Sequence, residues 1–139
     1  MIVLETTIPD LLIIQPKIQN DKRGYFLESF KNSEFKSNHF PTTFVQQNQA
    51  KSSKGVLRGL HYQLIYPQGK LVWVSSGSVL DVAVDIRKGS PTFGKFESCV
   101  LDDKDHKRLY IPEGFAHGYY VLTEIAVFQY MCTQIYHPE

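Results

Sequence analysis

Short strand-like segments separated by turn residues constrain this chain more than any other feature. Ten segments rich in Val, Ile, Tyr and Phe cover residues 11–14, 24–30, 43–47, 56–63, 71–75, 79–87, 95–100, 108–111, 118–122 and 126–133. Turn-forming residues cluster between them, as at residues 19–21, 75–78, 88–91 and 101–103. Strands of this length and spacing predict an all-β sandwich or barrel. The helix candidate is residues 33–38, where Ser33 is placed to cap the first turn.

Length and charge limit the function classes. A chain of 139 residues forms one domain, residues 1–139, with enough surface to bury a core. The formal net charge is +1 and no basic run stands out, which argues against nucleic acid or a membrane as the main partner. No apolar run is long enough to span a bilayer, so we expect a cytoplasmic protein. Cys99 and Cys132 lack metal-site spacing and are expected to be reduced thiols.

Two histidines in apolar surroundings are the first candidates for chemistry. His61 follows an apolar segment that also contains Arg58, and His117 lies among aromatic residues. An imidazole titrates near neutral pH, and with Lys70 and Tyr130 this set has the groups needed to move a proton. Either histidine alone is better explained as part of the core. The two contexts together favour an enzyme.

The segment 79–87 leaves two interpretations open. Asp81 and Asp85 alternate with apolar residues and so share one face of the strand. The default expectation is that this polar face meets solvent. In a small open barrel, however, it lines the cavity, where an Asp can hold the second nitrogen of a histidine.

Strict alternation also separates two of the candidates. It places Arg58 and His61 on opposite faces of their strand. Both reach one cavity only if the chain bends or bulges near Gly59, which a glycine permits.

Six ordered blocks resemble a known family. They are DKRGYFLESF (residues 21–30), FVQQN (44–48), GVLRGLHYQ (55–63), QGKLV (68–72), DVAVDIRKGSPTFG (81–94) and IPEGFAHG (111–118). Their order and sequence closely resemble the dTDP-4-dehydrorhamnose 3,5-epimerase family. The resemblance implies a cupin-type double-stranded β-helix, or jelly roll. It also implies a homodimer whose N-terminal strands contribute to the sheet and site of the partner.

The resemblance implies a cofactor-free isomerase. Its substrate would be dTDP-4-dehydro-6-deoxyglucose, inverted at C3 and C5 by proton abstraction beside the 4-keto group. Such chemistry needs a base near neutral pKa, an acid across the ring and cations aimed at the developing oxyanion. By resemblance His61 is the base and Tyr130 the acid. Lys70 lies near the C4 oxygen, and Arg58 and His117 complete the polar wall.

The nucleotide contacts carry over in the same way. By resemblance Arg23 and Glu28 reach across the dimer, and Gln46 and Asn48 contact the nucleotide. Arg supplies a bidentate fork for the diphosphate, and Phe26 can stack on the pyrimidine.

Two departures from the family affect the expected activity. Family members continue for some tens of residues past the position of Glu139, and that segment carries the Asp that hydrogen-bonds the base. We therefore expect slow epimerisation unless Asp81 or Asp85 substitutes. Trp73 stands where the family more often has a cation, and it either packs or reshapes the sugar pocket. The alternatives are an isomerase acting at one carbon of a related nucleotide sugar and a catalytically impaired cupin that binds one.

A metal-dependent cupin is the other alternative. Residues 112–117 match the second cupin motif, which ends at His117. The first motif requires a second histidine two residues after His61, but Gln63 stands there. Too few ligands remain for iron or manganese, so no metal is expected. The remaining histidines lie in loop-like segments and are expected to be exposed: His39, His106 and His137.

Overall fold

The chain folds into antiparallel β-sheets with one short helix, and the computed structural model describes residues 1–137. The strands are β1 (Ile2–Glu5), β2 (Leu12–Gln15), β3 (Ile18–Asp21), β4 (Gly24–Leu27), β5 (Gln46–Ser53), β6 (Leu57–His61), β7 (Lys70–Ser76), β8 (Ser78–Asp85), β9 (Phe96–Asp102), β10 (Arg108–Ile111), β11 (Phe115–Val121) and β12 (Ile125–Cys132). The helix α1 is Asn32–Ser37. The all-β prediction is confirmed.

Two sheets enclose the core. One has six strands in the order β1-β2-β10-β7-β12-β5, and the other has four in the order β6-β11-β8-β9. The strands β3 and β4 form a separate hairpin. Buried side chains from both sheets meet in one cluster, including Val72, Leu109, Phe128, Val79, Leu101 and Val121.

The strand β7 is central to the six-stranded sheet and is buried on both faces. Its residues 71–74 are all buried, which explains their uninterrupted apolar sequence. On the outer face, Leu71 and Trp73 pack with Phe35 of α1 and with Phe40. The helix therefore covers one end of this face, and β7 supports a separate cluster on each side.

The strand β5 is the largest difference from the sequence prediction. Residues 43–47 were expected to be extended, whereas the strand runs over Gln46–Ser53. Its sequence is polar and lacks β-branched and aromatic residues, so local preference predicts a loop. Pairing with β12 at all eight positions overrides that preference.

The N-terminal part also differs from the prediction. The strands β1 and β3 were not predicted, and residues 19–21, expected to form a turn, belong to β3. The turn lies at residues 22–23 instead, and β4 ends at Leu27. Ser33 does not cap α1, because Lys31 occupies the N-cap position and no side chain bonds there. No helix among the described residues is long and apolar enough to cross a bilayer.

The polar face of β8 points into the molecule, so the expectation that it meets solvent is wrong. Asp81 and Asp85 are both 0% exposed. Burial alone would raise the pKa of Asp85. Hydrogen bonds from Arg87, Ser90 and Thr92 outweigh that effect and hold the pKa of Asp85 well below its ordinary value. Asp85 thus anchors the turn after β8, whereas Asp81 takes no part in that turn and lies buried between the sheets.

Candidate active site

An open cavity of about 450 Å³ lies between the two sheets. We call it the inner cavity. Six of the residues predicted from the sequence line it: Gln46, Asn48, His61, Lys70, His117 and Tyr130. They come from five strands, β5, β6, β7, β11 and β12. The fold therefore gathers groups that are far apart in the chain.

A bulge in β6 turns two side chains to the same side. His61 pairs with His117, and Arg58 pairs with Tyr119, so β6 carries one residue more than β11 between these pairs. Gly59 lies in the bulge with φ of +108°. A Cβ there would approach the carbonyl oxygen of His117 to 2.6 Å. The bulge predicted at Gly59 is confirmed, and it requires a glycine.

His117 is held by a buried carboxylate. Its Nε2 lies 2.7 Å from Asp81 Oδ2, and the two residues are 6% and 0% exposed. A carboxylate at this distance fixes the ring orientation and the tautomer, which leaves Nδ1 as the second ring nitrogen. An Asp of residues 79–87 therefore does orient a histidine, and the histidine is His117. Neither Asp81 nor Asp85 substitutes as the acid that orients His61, because Asp81 pairs with His117 and Asp85 accepts hydrogen bonds from the turn after β8.

His61 has a different environment. No hydrogen bond to its ring is present within residues 1–137, and the residue is exposed to the cavity opening. Partial burial lowers the pKa of His61, and the charges of Lys70, His117 and Arg58 lower it further. A lowered pKa increases the fraction of neutral imidazole at pH 7. His61 is thus a free base near neutral pH.

Lys70 and Tyr130 lie together on the six-stranded sheet. The Lys70 Nζ is 5.5 Å from the centre of the Tyr130 ring. Burial lowers the pKa of Lys70, while Cys132 and Asp81 act in the opposite direction. Asn48 donates a hydrogen bond of 3.0 Å to the Tyr130 hydroxyl oxygen. Because that oxygen accepts from Asn48, its own proton is free for donation.

Arg58 approaches the site without lining the cavity. Its Nε donates a 2.9 Å hydrogen bond to Ser52 Oγ of β5, so its side chain crosses between the sheets. Tyr119, its neighbour on β11, is buried, and burial raises the pKa of that phenol. Arg58 therefore acts on His61 through its charge rather than through the cavity wall.

Comparison with known proteins identifies the family. Residues 5–139 match the family model described as dTDP-4-dehydrorhamnose 3,5-epimerase. The chain belongs to this family. Its two-sheet sandwich is accordingly of the cupin type, as the resemblance predicted.

Individual relatives agree with the family match. The chain is 51% identical over 139 residues to the dTDP-4-dehydrorhamnose 3,5-epimerase of Neisseria gonorrhoeae, covering all of this chain and 42% of that protein. It is 50% identical over 143 residues to the enzyme of that name from Escherichia coli K12, covering all of this chain and 76% of that protein. The chain thus spans less than half of the first relative and about three quarters of the second.

A solved structure gives the same result. The Legionella pneumophila dTDP-6-deoxy-D-glucose-3,5-epimerase in complex with dTDP-4-keto-L-rhamnose superposes with a TM-score of 0.95 and 51% identity. The match covers 98% of this chain and 73% of that one. The similarity to this epimerase therefore extends through the whole sandwich.

Three predicted nucleotide contacts of this epimerase-family chain lie outside the inner cavity. Arg23, Phe26 and Glu28 are on or just after the β3–β4 hairpin. The Arg23 side chain is 90% exposed and pairs with Asp21 at 2.6 Å, and Phe26 is 65% exposed. Within one chain the structure does not bring these residues to His61.

Trp73 packs and does not shape the inner cavity. It is 8% exposed and belongs to the cluster on the outer face of the six-stranded sheet. Lys70, three residues earlier, faces the inner cavity. Alternation along β7 places the two side chains on opposite faces, which settles the question that the sequence left open.

Several cavity residues were not predicted from the sequence. Gln63 and Phe115 line the inner cavity, as do Tyr136 and His137 near the end of the described chain. The expectation that His137 is a simple exposed residue is wrong, because its ring stacks on Tyr66 with centroids 4.3 Å apart. Gln63 accepts a hydrogen bond from the His137 backbone at 2.8 Å. No local sequence signal predicts a contact between segments so far apart.

Residues 1–137 contain no group of three or more His, Cys, Asp and Glu side chains arranged to hold a metal ion. The expectation that His106 is exposed is wrong, because it is 5% exposed and its ring packs on Tyr25 in a tilted arrangement, with centroids 4.6 Å apart. His39 is exposed as expected. The ionisable side chains that the sequence predicted for the inner cavity are two imidazoles, one ammonium and one phenol, from His61, His117, Lys70 and Tyr130.

Replacing Lys70 tests the electrostatics of the cavity. The variant Lys70→Met removes a neighbouring positive charge, so protonating His61 becomes easier and the pKa of His61 rises. The rise is partial, since burial is the larger cause of the lowered value. An NMR titration of the His61 ring in both proteins measures it. Lys51→Met, at an exposed position of β5, is the control and leaves the titration unchanged. A His61 pKa that stays constant or falls in Lys70→Met contradicts this description.

Proposed function

We propose that this chain epimerises a dTDP-linked 4-keto-6-deoxy sugar at C3 and C5. The observation that carries the proposal is the set of His61, Lys70 and Tyr130 around one open cavity, in a chain of the dTDP-4-dehydrorhamnose 3,5-epimerase family. The bound molecule of the Legionella structure, dTDP-4-keto-L-rhamnose, is a 4-keto sugar of the kind on which such residues would act.

The first step is removal of a proton beside the ketone. The C–H bond of the sugar carbon, C3 or C5, breaks and His61 accepts the proton. The electron pair of that bond forms a C=C bond to C4, and the C4 oxygen takes the negative charge. His61 suits this step because its lowered pKa keeps the ring neutral. The Lys70 ammonium, largely shielded from solvent by burial, stabilises the enolate oxygen electrostatically.

The second step returns a proton to the opposite face of the same carbon. Tyr130 donates it, and the hydrogen bond from Asn48 steadies the phenolate that results. His61 then carries the proton that it removed, and exchange of protons with solvent restores both groups. The Asp81–His117 pair holds the cavity wall beside His61 in a fixed orientation.

Hydrogen–deuterium exchange tests the roles of His61 and Tyr130 separately. In deuterated water with dTDP-4-keto-6-deoxyglucose, His61→Ala should lose exchange at C3 and C5 by about 10²–10⁴-fold. Binding of dTDP should change only a few-fold, since the base acts in the transition state. Tyr130→Phe should keep exchange but lose inversion, because His61 can return a deuteron to the face from which it took the proton.

The exposed histidine variant His39→Ala is the matched control and should behave as the wild type. Unchanged exchange in His61→Ala would remove His61 from the mechanism. Exchange at one carbon only in the wild type would indicate a single-carbon epimerase instead. Nucleotide binding with no exchange would indicate a binding protein.

We also infer that the chain acts as a homodimer with shared sites. The hairpin residues Arg23, Phe26 and Glu28 are exposed, and none of them lines the inner cavity of their own chain. The hairpin also exposes aromatic surface, with Tyr25 54% and Phe26 65% exposed. Such a surface favours association with a second copy. In this arrangement each hairpin completes the nucleotide site of its partner.

Subunit complementation tests this arrangement. Homodimers of Arg23→Ala and of His61→Ala each have two defective sites. In a mixed dimer, one site combines an intact cavity with an intact hairpin from the other subunit. After unfolding and refolding together, turnover below the KM should recover to about one quarter of wild type, because half of the dimers are mixed with one good site each. No recovery, although mixed dimers are detected, would mean that each hairpin serves its own cavity.

A further inference from the structure

A second cavity, of about 360 Å³, lies beneath the β3–β4 hairpin. We call it the outer cavity, and its lining includes Tyr25, Phe26, Trp73, Ser75, His106 and Arg108. Trp73 and Ser75 alternate with the inward-facing residues of β7, so this cavity is on the opposite face of the sheet from the inner cavity. None of the epimerisation steps uses it.

Arg108 is a buried cation without an anionic partner. It is 4% exposed, and none of the ion pairs within residues 1–137 includes it. Burial lowers the pKa of Arg108 to about 10. Its Nη1 donates to the carbonyl oxygen and the hydroxyl of Ser29 at 3.2 and 2.9 Å, and its Nε donates to the His106 carbonyl oxygen at 3.2 Å. These are neutral acceptors, so the charge stays uncompensated, which is unfavourable in an interior.

Further polar groups around the outer cavity lack partners. Within the described residues, Arg108 Nη2, the His106 ring nitrogens and Ser75 Oγ make no hydrogen bond. The Arg108 guanidinium carbon lies 5.0 Å from the centre of the Trp73 ring. That contact favours the cation but offers no acceptor to its remaining N–H groups. The outer cavity is therefore lined by unpartnered N–H and O–H groups, for which an oxyanion would be the acceptor.

We propose that the outer cavity binds a small planar carboxylate. A buried guanidinium carries one positive charge, which compensates a monoanion fully and a dianion only in part. The rings of Tyr25 and Trp73 provide apolar surface for a flat body beside the carboxylate. The volume is at the lower end of the range for small-molecule sites, which suits a ligand with a single ring. The ligand would lie under the hairpin that carries Arg23.

Trp73 provides a local probe, because it is the only tryptophan of the chain. Benzoate is titrated into the full chain at constant ionic strength, with excitation at the red edge of the tryptophan band. We expect a saturable change in Trp73 emission. Benzamide, the neutral isostere, and inorganic phosphate should give no saturable change over the same concentrations. A response to benzamide equal to that to benzoate, or a response to phosphate alone, would overturn the proposal.

Single substitutions test whether the change in Trp73 emission comes from the outer cavity. Arg108→Gln should abolish it, whereas Lys107→Gln removes an adjacent surface charge and should leave it intact. Lys70→Met, which alters the inner cavity, should also leave it intact. If Arg108→Gln fails to fold, Arg108→Lys keeps the charge but loses the fork, and it should bind benzoate at least several-fold more weakly. Wild-type affinity in either Arg108 variant, or loss of the response in Lys70→Met, would overturn the assignment.

Discussion

The contact between two glycines of neighbouring strands determines the arrangement of the site. Gly59 of β6 lies so close to β11 that a Cβ would come within 2.7 Å of the Gly118 Cα, and a Cβ on Gly118 would come within 2.7 Å of the Arg58 carbonyl oxygen. This approach allows the bulge that directs Arg58 and His61 to the same side. Without it, one of the two side chains would point out of the sandwich.

The interior then holds several charged and polar groups that a core of this size must satisfy. The strand β8 supplies two buried carboxylates with different partners. Asp85 receives several hydrogen bonds and anchors a turn, while Asp81 pairs with His117 and retains Oδ1 without a partner among the described residues. A buried carboxylate with spare acceptor capacity beside a cavity is costly for stability. Such groups are concentrated where chemistry needs them.

Much of the fold and the site could be predicted from the sequence, and the misses have physical causes. Apolar strands such as β7 and β10 could be predicted from their composition. The strand β5 is polar, and it is extended only because β12 pairs with it. Alternation along β8 separates an apolar face from a polar face, but it does not say which of the two points into the molecule. His106 and His137 lie in loop-like sequence, and only tertiary packing on Tyr25 and Tyr66 makes them interior or cavity residues. The family resemblance predicted the polar residues of the cavity, but the pairing of His117 with Asp81 and of Tyr130 with Asn48 is visible only in the structure.

The bulge at Gly59 brings the proposed base His61 into the cavity beside His117. A comparison of Gly59→Ala with Gly89→Ala tests whether the site depends on this bulge. Both glycines have positive φ, but a Cβ at Gly89 meets nothing within 4 Å, so the control carries the backbone strain without the collision. The measurement is deuterium exchange into the sugar, together with the ring signals of His61 and His117. Gly59→Ala should lose exchange and shift both rings, while Gly89→Ala should do neither. A folded Gly59→Ala protein with wild-type exchange and unshifted rings would show that the bulge does not position His61.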